Sequence, residues 1–213
     1  LPKLTSGKQL AAFGLTEPEA GSDAGNTKTR AELDGDEWVV NGAKQFITNS
    51  GTDISACVTI TAVTGKDENG RLEISNIIVP NGTPGYTVDP PYRKMGWNAS
   101  DTHPLTFEDA RVPESNLLGP RGQGFKQFLQ ILDGGRIGVA AMSVGVAQGA
   151  LDEAIKYAKE RQAFGQSISK FQSIQAKIAD ISSQLEAARL LTYKAAIEKD
   201  RGENFTLTAA QAK

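Results

Sequence analysis

The stretch PRGQGFKQFLQILDGGRIGVAAMSVGV, residues 120–146, divides the chain into two halves of different period. Within it Phe125, Phe128, Leu132, Gly135, Val139, Met142 and Val146 recur at steps of three and four, as on one face of a helix. The same helix carries Gly134, Gly138, Ala140, Ala141, Gly145, Ala147, Gly149 and Ala150. Glycine costs about 1 kcal/mol in a helix interior relative to alanine. So many small residues imply close approach by other backbones or by a ligand, and tight helix packing accounts for most of them.

Upstream, from about residue 10 to residue 118, the pattern is that of β-structure. Trp38-Val39-Val40, Ile54 to Val63, Leu72 to Val79 and Leu105-Thr106-Phe107 are short runs rich in β-branched or aromatic residues. Asp34-Gly35-Asp36, Asn41-Gly42, Asn49-Ser50-Gly51, Asn69-Gly70 and Asn81-Gly82 read as turns between them. This spacing predicts an antiparallel sandwich or barrel. Downstream, Ser169-Lys170-Phe171-Gln172 has the spacing of a capping box. Ile174, Ile178, Ile181, Leu185, Ala188, Thr192 and Ala195 then form a bundle seam, which Gly202 closes as a left-handed cap. A third helix is expected from Thr206 or Thr208. The fold class is therefore α+β: a β-domain followed by part of an up-down helical bundle.

Composition sets the outer limits. The chain has 213 residues, 39% hydrophobic and 23% charged, with a formal net charge of −2. It has neither the basic stripe that suits nucleic acid nor the polybasic cluster that suits a membrane surface. No apolar run reaches the length of a membrane span. Leu1-Pro2-Lys3-Leu4-Thr5 has no signal-peptide pattern and no initiator Met, so a piece of a longer protein is expected. Cys57 is the single cysteine, which excludes an internal disulfide, and its place in Ala56-Cys57-Val58-Thr59-Ile60 predicts burial. His103 is the single histidine, which excludes multi-histidine metal sites. No metal ligand set and no catalytic residue is assigned within the chain, and chemistry is expected to come from a cofactor.

Two segments suggest where that cofactor binds. In Phe13-Gly14-Leu15-Thr16-Glu17-Pro18-Glu19-Ala20-Gly21-Ser22-Asp23, small residues beside hydroxyls let the backbone approach a ligand and donate N–H groups. In Gly42-Ala43-Lys44-Gln45-Phe46-Ile47-Thr48-Asn49-Ser50-Gly51, an extended backbone would project Phe46 and Thr48 from one face. An aromatic ring and a hydroxyl so placed would serve a flavin. The alternative is a half-exposed strand with Phe46 in the core.

Leu15-Thr16-Glu17-Pro18, Gly21-Ser22-Asp23 and Phe46-Ile47-Thr48-Asn49 together resemble the flavin-binding signatures of the acyl-CoA dehydrogenase family. Lys94-Met95-Gly96-Trp97, Phe107 to Pro113, Leu132 to Arg136, and Tyr157 through Arg161 to Phe164-Gly165 extend the resemblance in order along the chain. It implies a three-part protein, of which residues 1–9 would end an N-terminal helical domain. Residues 10–118 would form the middle β-domain and 119–213 the first helices of the C-terminal bundle.

The resemblance further implies FAD as cofactor, lined by Phe13, Leu15, Thr16, Gly21, Ser22, Phe46, Ile47 and Thr48. Arg161, Phe164 and Gln172 would reach the flavin of a neighbouring subunit in a homotetramer. Ser22, Asp133, Gly134, Gly135 and Arg136 would contact an acyl-CoA substrate. Relatives often have tyrosine where Phe13 stands and tryptophan where Phe46 stands, so two polar handles are lost here.

The implied reaction removes an α-proton with a glutamate while hydride passes from the β-carbon to the flavin, giving a trans-2-enoyl-CoA. An electron-transferring flavoprotein would reoxidise the flavin. Gly135 stands where some branched- and long-chain relatives carry the glutamate, and in the others it lies beyond the matched region. The chain is therefore expected to lack its base and to derive from a short-chain, butyryl-CoA-like enzyme, cytoplasmic in a bacterium or in the mitochondrial matrix of a eukaryote. The competing expectations are an acyl-CoA oxidase or other flavoenzyme on the same scaffold, and a non-catalytic assembly module.

Overall fold

The computed structural model describes residues 2–213 and divides into two compact units, with the boundary between Gln127 and Phe128. The first unit opens with α1 (Pro2–Thr5) and continues through β1 (Leu10–Gly14), β2 (Arg30–Asp34), β3 (Glu37–Thr48), β4 (Ser55–Lys66), β5 (Leu72–Pro80), β6 (Tyr86–Val88), β7 (Thr102–Pro113) and β8 (Leu117–Leu118). These strands form one eight-stranded sheet ordered β6-β7-β3-β2-β4-β5-β8, with β1 added on β4. Its end strands, β6 and β8, do not pair with each other, so the barrel stays open.

Most neighbours are antiparallel, as the turn-rich sequence predicts, but β1 and β2 each run parallel to β4. Parallel neighbours come from distant parts of the chain and leave no turn signature, so spacing alone could not reveal them. The core lies where alternate residues of the long strands converge: Trp38, Val40, Val58, Ile60, Ile77, Val79, Leu105, Phe107 and Val112 are all buried there.

Asn41-Gly42 is not a turn. β3 runs through it without a break, and its register against β7 shifts between Val40 and Gly42. A Cβ on Gly42 would lie 2.7 Å from the Thr29 Cα, and φ there is +146°. The glycine therefore serves a bulge against which another backbone packs. Cys57 is half-buried rather than buried, and its burial still raises the thiol pKa.

The second unit contains most of α2 (Gly124–Glu160), then β9 (Gln162–Ala163), β10 (Gln166–Ser167), α3 (Gln172–Asp200) and α4 (Thr206–Ala212). Its core is small. Val144, Leu151 and Leu185 are buried, with Ala147, Ile155, Ile178 and Ala188 against them. The face of α2 defined by Leu132, Val139, Met142 and Val146 is instead exposed, 71% in the case of Val146. Two apolar stripes run along this helix, and periodicity does not say which one a neighbour covers.

The seam of α3 holds better, with Leu185, Thr192 and Ala195 buried, although Ile181 is exposed. The capping box does not form. Phe171 occupies the N-cap of α3 without a side-chain bond, while Ser169 lies in a preceding 3-10 turn and receives the Gln175 amide on its carbonyl at 3.0 Å. At the other end, Glu203 N–H donates to Glu198 O and Gly202 N–H to Lys199 O, with Gly202 at φ +71°, which is the Schellman closure the glycine predicts. No helix among the described residues is long and apolar enough to cross a membrane.

Candidate functional site

Strand β1 ends at Gly14, where a Cβ would press within 3.0 Å of Ile60 and 3.3 Å of Lys44. Past this close approach Leu15 and Thr16 leave the sheet, and Glu17 turns inward. Its carboxylate is almost wholly buried, at 4% exposure, and accepts four donors: Lys44 Nζ at 2.7 Å, Lys28 N–H at 2.5 Å, Thr29 N–H at 3.1 Å, and the Thr27 hydroxyl. Lys44, with 0% of its side chain exposed, also donates towards Thr61 Oγ1 at 3.0 Å and the Leu15 carbonyl at 3.3 Å.

Burial alone would raise the Glu17 pKa, but the Lys44 charge and the donated hydrogen bonds hold it down at about 2. For Lys44 burial wins, lowering it to about 8 against the pull of Glu17. Both groups are therefore charged at neutral pH. They respond unequally because Glu17 gathers four donors, whereas the ammonium loses more hydration than its oxygens return.

One residue beyond Lys44, Gln45 N–H donates to the Thr16 carbonyl at 2.8 Å. The two segments singled out in the sequence are thus joined side by side. Phe46 follows at φ +60°, the left-handed region that bulky side chains avoid, and is 60% exposed. Its ring rests on Tyr92, with centroids 4.9 Å apart. This is the second bulge of β3, and it reverses the alternation: Lys44 and Ile47 both point inward, while Phe46 and Thr48 are both exposed. The shared outer face of Phe46 and Thr48 is found, and Phe46 is not in the core. Ile47 is buried, so only its backbone is offered to that face.

Phe13, Leu15 and Thr16 are half-buried. Thr16 N–H donates to no acceptor among the described residues. Ala20, buried, pins the following loop through reciprocal backbone bonds with Glu17, leaving Gly21 and Ser22 exposed with open space around Gly21. This region therefore combines an exposed aromatic ring, the exposed Thr48, a Thr16 N–H without an acceptor among the described residues, and a loop with open space at Gly21. An exposed ring beside hydrogen-bonding groups fits a planar heterocycle with a polar edge.

The remaining predicted residues lie in the second unit, in two separate places. Asp133, Gly134, Gly135 and Arg136 sit near the start of α2; Asp133 is ion-paired to Arg136 and receives the Thr206 hydroxyl at 2.7 Å. Arg161, Phe164 and Gln172 cluster around the β9–β10 hairpin, where Ile168 N–H donates to the Arg161 carbonyl and the Phe164 ring meets Phe171 edge-on. Phe164 is almost fully exposed at φ +52°. At 1.5 Å per residue, the helix holds Asp133 and Arg161 roughly 40 Å apart.

His103, the single histidine, is buried, with Nδ1 2.6 Å from the Asp89 carbonyl and Nε2 2.5 Å from Asp101 Oδ1. No group of three or more His, Cys, Asp or Glu among the described residues could hold a metal ion. The Lys44–Glu17 pair escaped the sequence reading because strict alternation puts Lys44 on the same face as Phe46. Only the bulge separates them.

The family model of the acyl-CoA dehydrogenase middle domain matches residues 12–110, and that of the C-terminal domain matches residues 122–213. The probable acyl-CoA dehydrogenase YngJ of Bacillus subtilis is 54% identical over the whole chain, which covers 56% of that protein. The mitochondrial short-chain specific acyl-CoA dehydrogenase of Rattus norvegicus is 47% identical over 98% of the chain and 50% of its own length. The structure of butyryl-CoA dehydrogenase from Megasphaera elsdenii superposes with a TM-score of 0.92 at 46% identity, over 99% of this chain and 54% of that one. The chain thus spans about half the length of the relatives it matches. With ordered motifs, two consecutive family models and a shared fold in agreement, this chain belongs to the acyl-CoA dehydrogenase family.

Proposed function

We propose that the chain forms the FAD-contacting part of an enzyme that oxidises a short-chain acyl-CoA to the trans-2-enoyl-CoA. The observation that carries this reading is the paired outward presentation of Phe46 and Thr48 beside the Thr16 N–H, on a backbone bent out of its ordinary conformation at Phe46. Strain of this kind is maintained where a surface must be presented in one geometry. Phe46 offers its ring for stacking, Thr48 and Thr16 offer donors at the polar edge, and Gly21 and Ser22 leave room for the tail. A bound flavin supplies the hydride acceptor.

Asp133 and Arg136, with Gly134 and Gly135 between them, present a charged pair and bare helix backbone for the acyl-CoA. The chain supplies no general base there: Gly135 has no side chain, and Asp133 is held by Arg136 and Thr206. In this reading its residues bind and orient, and proton abstraction belongs to a glutamate elsewhere in the whole enzyme. In the same reading, the Arg161, Phe164 and Gln172 cluster serves the flavin of a second copy in a homotetramer. An electron-transferring flavoprotein is the proposed acceptor of the electrons. The short-chain specificity in the name of the Rattus norvegicus relative supports a short acyl group.

The test is the visible spectrum of the purified chain with FAD, followed by anaerobic butyryl-CoA. A shifted flavin band that does not bleach supports the reading. Bleaching would place a base among these residues, and absence of any flavin perturbation would contradict the FAD surface.

A further inference from the structure

The Lys44–Glu17 pair is an expensive feature. Replacing a buried ion pair with apolar groups of similar volume is often neutral or stabilising, so such a pair is poorly explained by stability alone. What an apolar pair could not do is hold main-chain polar atoms. Glu17 collects the Lys28 and Thr29 N–H groups, and Lys44 reaches the Leu15 carbonyl, all main-chain atoms of residues outside the strands. The next residue in each segment completes the joint, through Gln45 N–H and Thr16 O at 2.8 Å. Thr61, from β4, closes the far side of the ammonium at 3.0 Å. Three groups of the proposed flavin surface therefore adjoin this pair in sequence: Thr16 directly before Glu17, and Phe46 and Thr48 just after Lys44.

We propose that Lys44 and Glu17 are positioning residues, a buried charged clamp that fixes the Leu15–Thr16 segment against the Phe46–Thr48 bulge and so sets the geometry of the flavin surface. The inference deepens the FAD reading and rests on it for its ligand, but the clamp itself can be tested without flavin. Neither side chain touches the ligand in this role. The clamp acts by keeping two pieces of backbone in register, and the cost of the φ at Phe46 is borne because the clamp leaves β3 no relaxed alternative.

The experiment compares the chain with the Glu17→Gln/Lys44→Met double variant, which removes both charges at nearly constant volume. Amide hydrogen exchange is followed at Gln45 and across β4 and β5, without flavin. The expected result is exchange at Gln45 at least about tenfold faster, with β4 and β5 within about twofold of the parent. Uniform acceleration at all these sites, or an unchanged Gln45, would overturn the clamp and leave a purely structural pair. Should the double variant fail to fold, Thr61→Val loosens the ammonium while keeping both charges, and the same local pattern is expected at smaller amplitude.

A parallel FAD titration by flavin fluorescence should show Kd raised at least about tenfold in the double variant. Equal affinity in both chains would also overturn the proposal. If the parent itself binds no FAD, the flavin reading fails, while the exchange pattern still decides whether the clamp exists.

Discussion

The imidazole of His103 packs directly on Gly51: a Cβ built on that glycine would lie 2.2 Å from His103 Nε2. The same nitrogen is 2.5 Å from Asp101 Oδ1, and Asp101 Oδ2 in turn accepts the Gly51 N–H at 2.8 Å. The loop that follows Thr48 is thereby tied to the start of β7. Gly51→Ala should displace a buried ring held at both nitrogens and cost roughly 1–3 kcal/mol, as overpacking does. Gly135→Ala, on an exposed helix face with nothing within 4 Å, should instead stabilise by up to about 1 kcal/mol. Urea unfolding of the two variants checks both signs, and destabilisation by Gly135→Ala would contradict the open space seen there.

The Glu17 carboxylate gives the acid limb of stability a defined origin. Its pKa lies at about 2 in the folded chain, against an ordinary value of 4.5. The unfolded chain therefore takes up the proton first as pH falls. The contribution is complete above about pH 4.5 and is lost as pH drops through 2, with a size on the order of 3 kcal/mol. Urea midpoints measured from pH 6 to pH 2 should fall more steeply in the parent than in the Glu17→Gln/Lys44→Met variant. Parallel curves would show that other carboxylates carry the effect.

Phe46→Gly should separate stability from binding. The glycine relieves the φ of +60°, worth about 1–2 kcal/mol, but it adds backbone entropy to the unfolded chain and gives up the ring contact with Tyr92, each worth about 1 kcal/mol. Thermal melting should therefore change little, by less than about 1 kcal/mol. FAD affinity should fall at least about tenfold, since the stacking surface is gone. A large loss of stability would mean that Phe46 has a packing role its exposure conceals.

The exposed stripe of α2, comprising Leu132, Val139, Met142 and Val146, predicts self-association of the chain. Sedimentation should show species larger than the monomer. Met142→Glu with Val146→Glu, both on the exposed face, should shift the population towards monomer without lowering helix content. A monomeric parent would show that this stripe alone does not drive assembly.

Much of this organisation could be read in the chain itself, because it follows from short-range rules. Gly35 and Gly70 were readable as turns, and both adopt positive φ. Gly202 was readable as the end of α3, and the change of period after Pro120 separated strands from helices. The segments around Thr16 and Phe46 were legible as distinctive motifs, and the Gln45 to Thr16 backbone bond joins them. Tertiary structure decided what depends on partners distant in sequence. The parallel pairing of β1 with β4, the bulge at Gly42 forced by the Thr29 backbone and the choice between the two stripes of α2 all belong there. So does the burial of Lys44 opposite Glu17, because alternation along a strand is a local rule and the bulge at Phe46 overrides it. A lysine in a polar-looking strand reads as solvated until the fold surrounds its ammonium with oxygens contributed by Leu15, Glu17, Thr27 and Thr61.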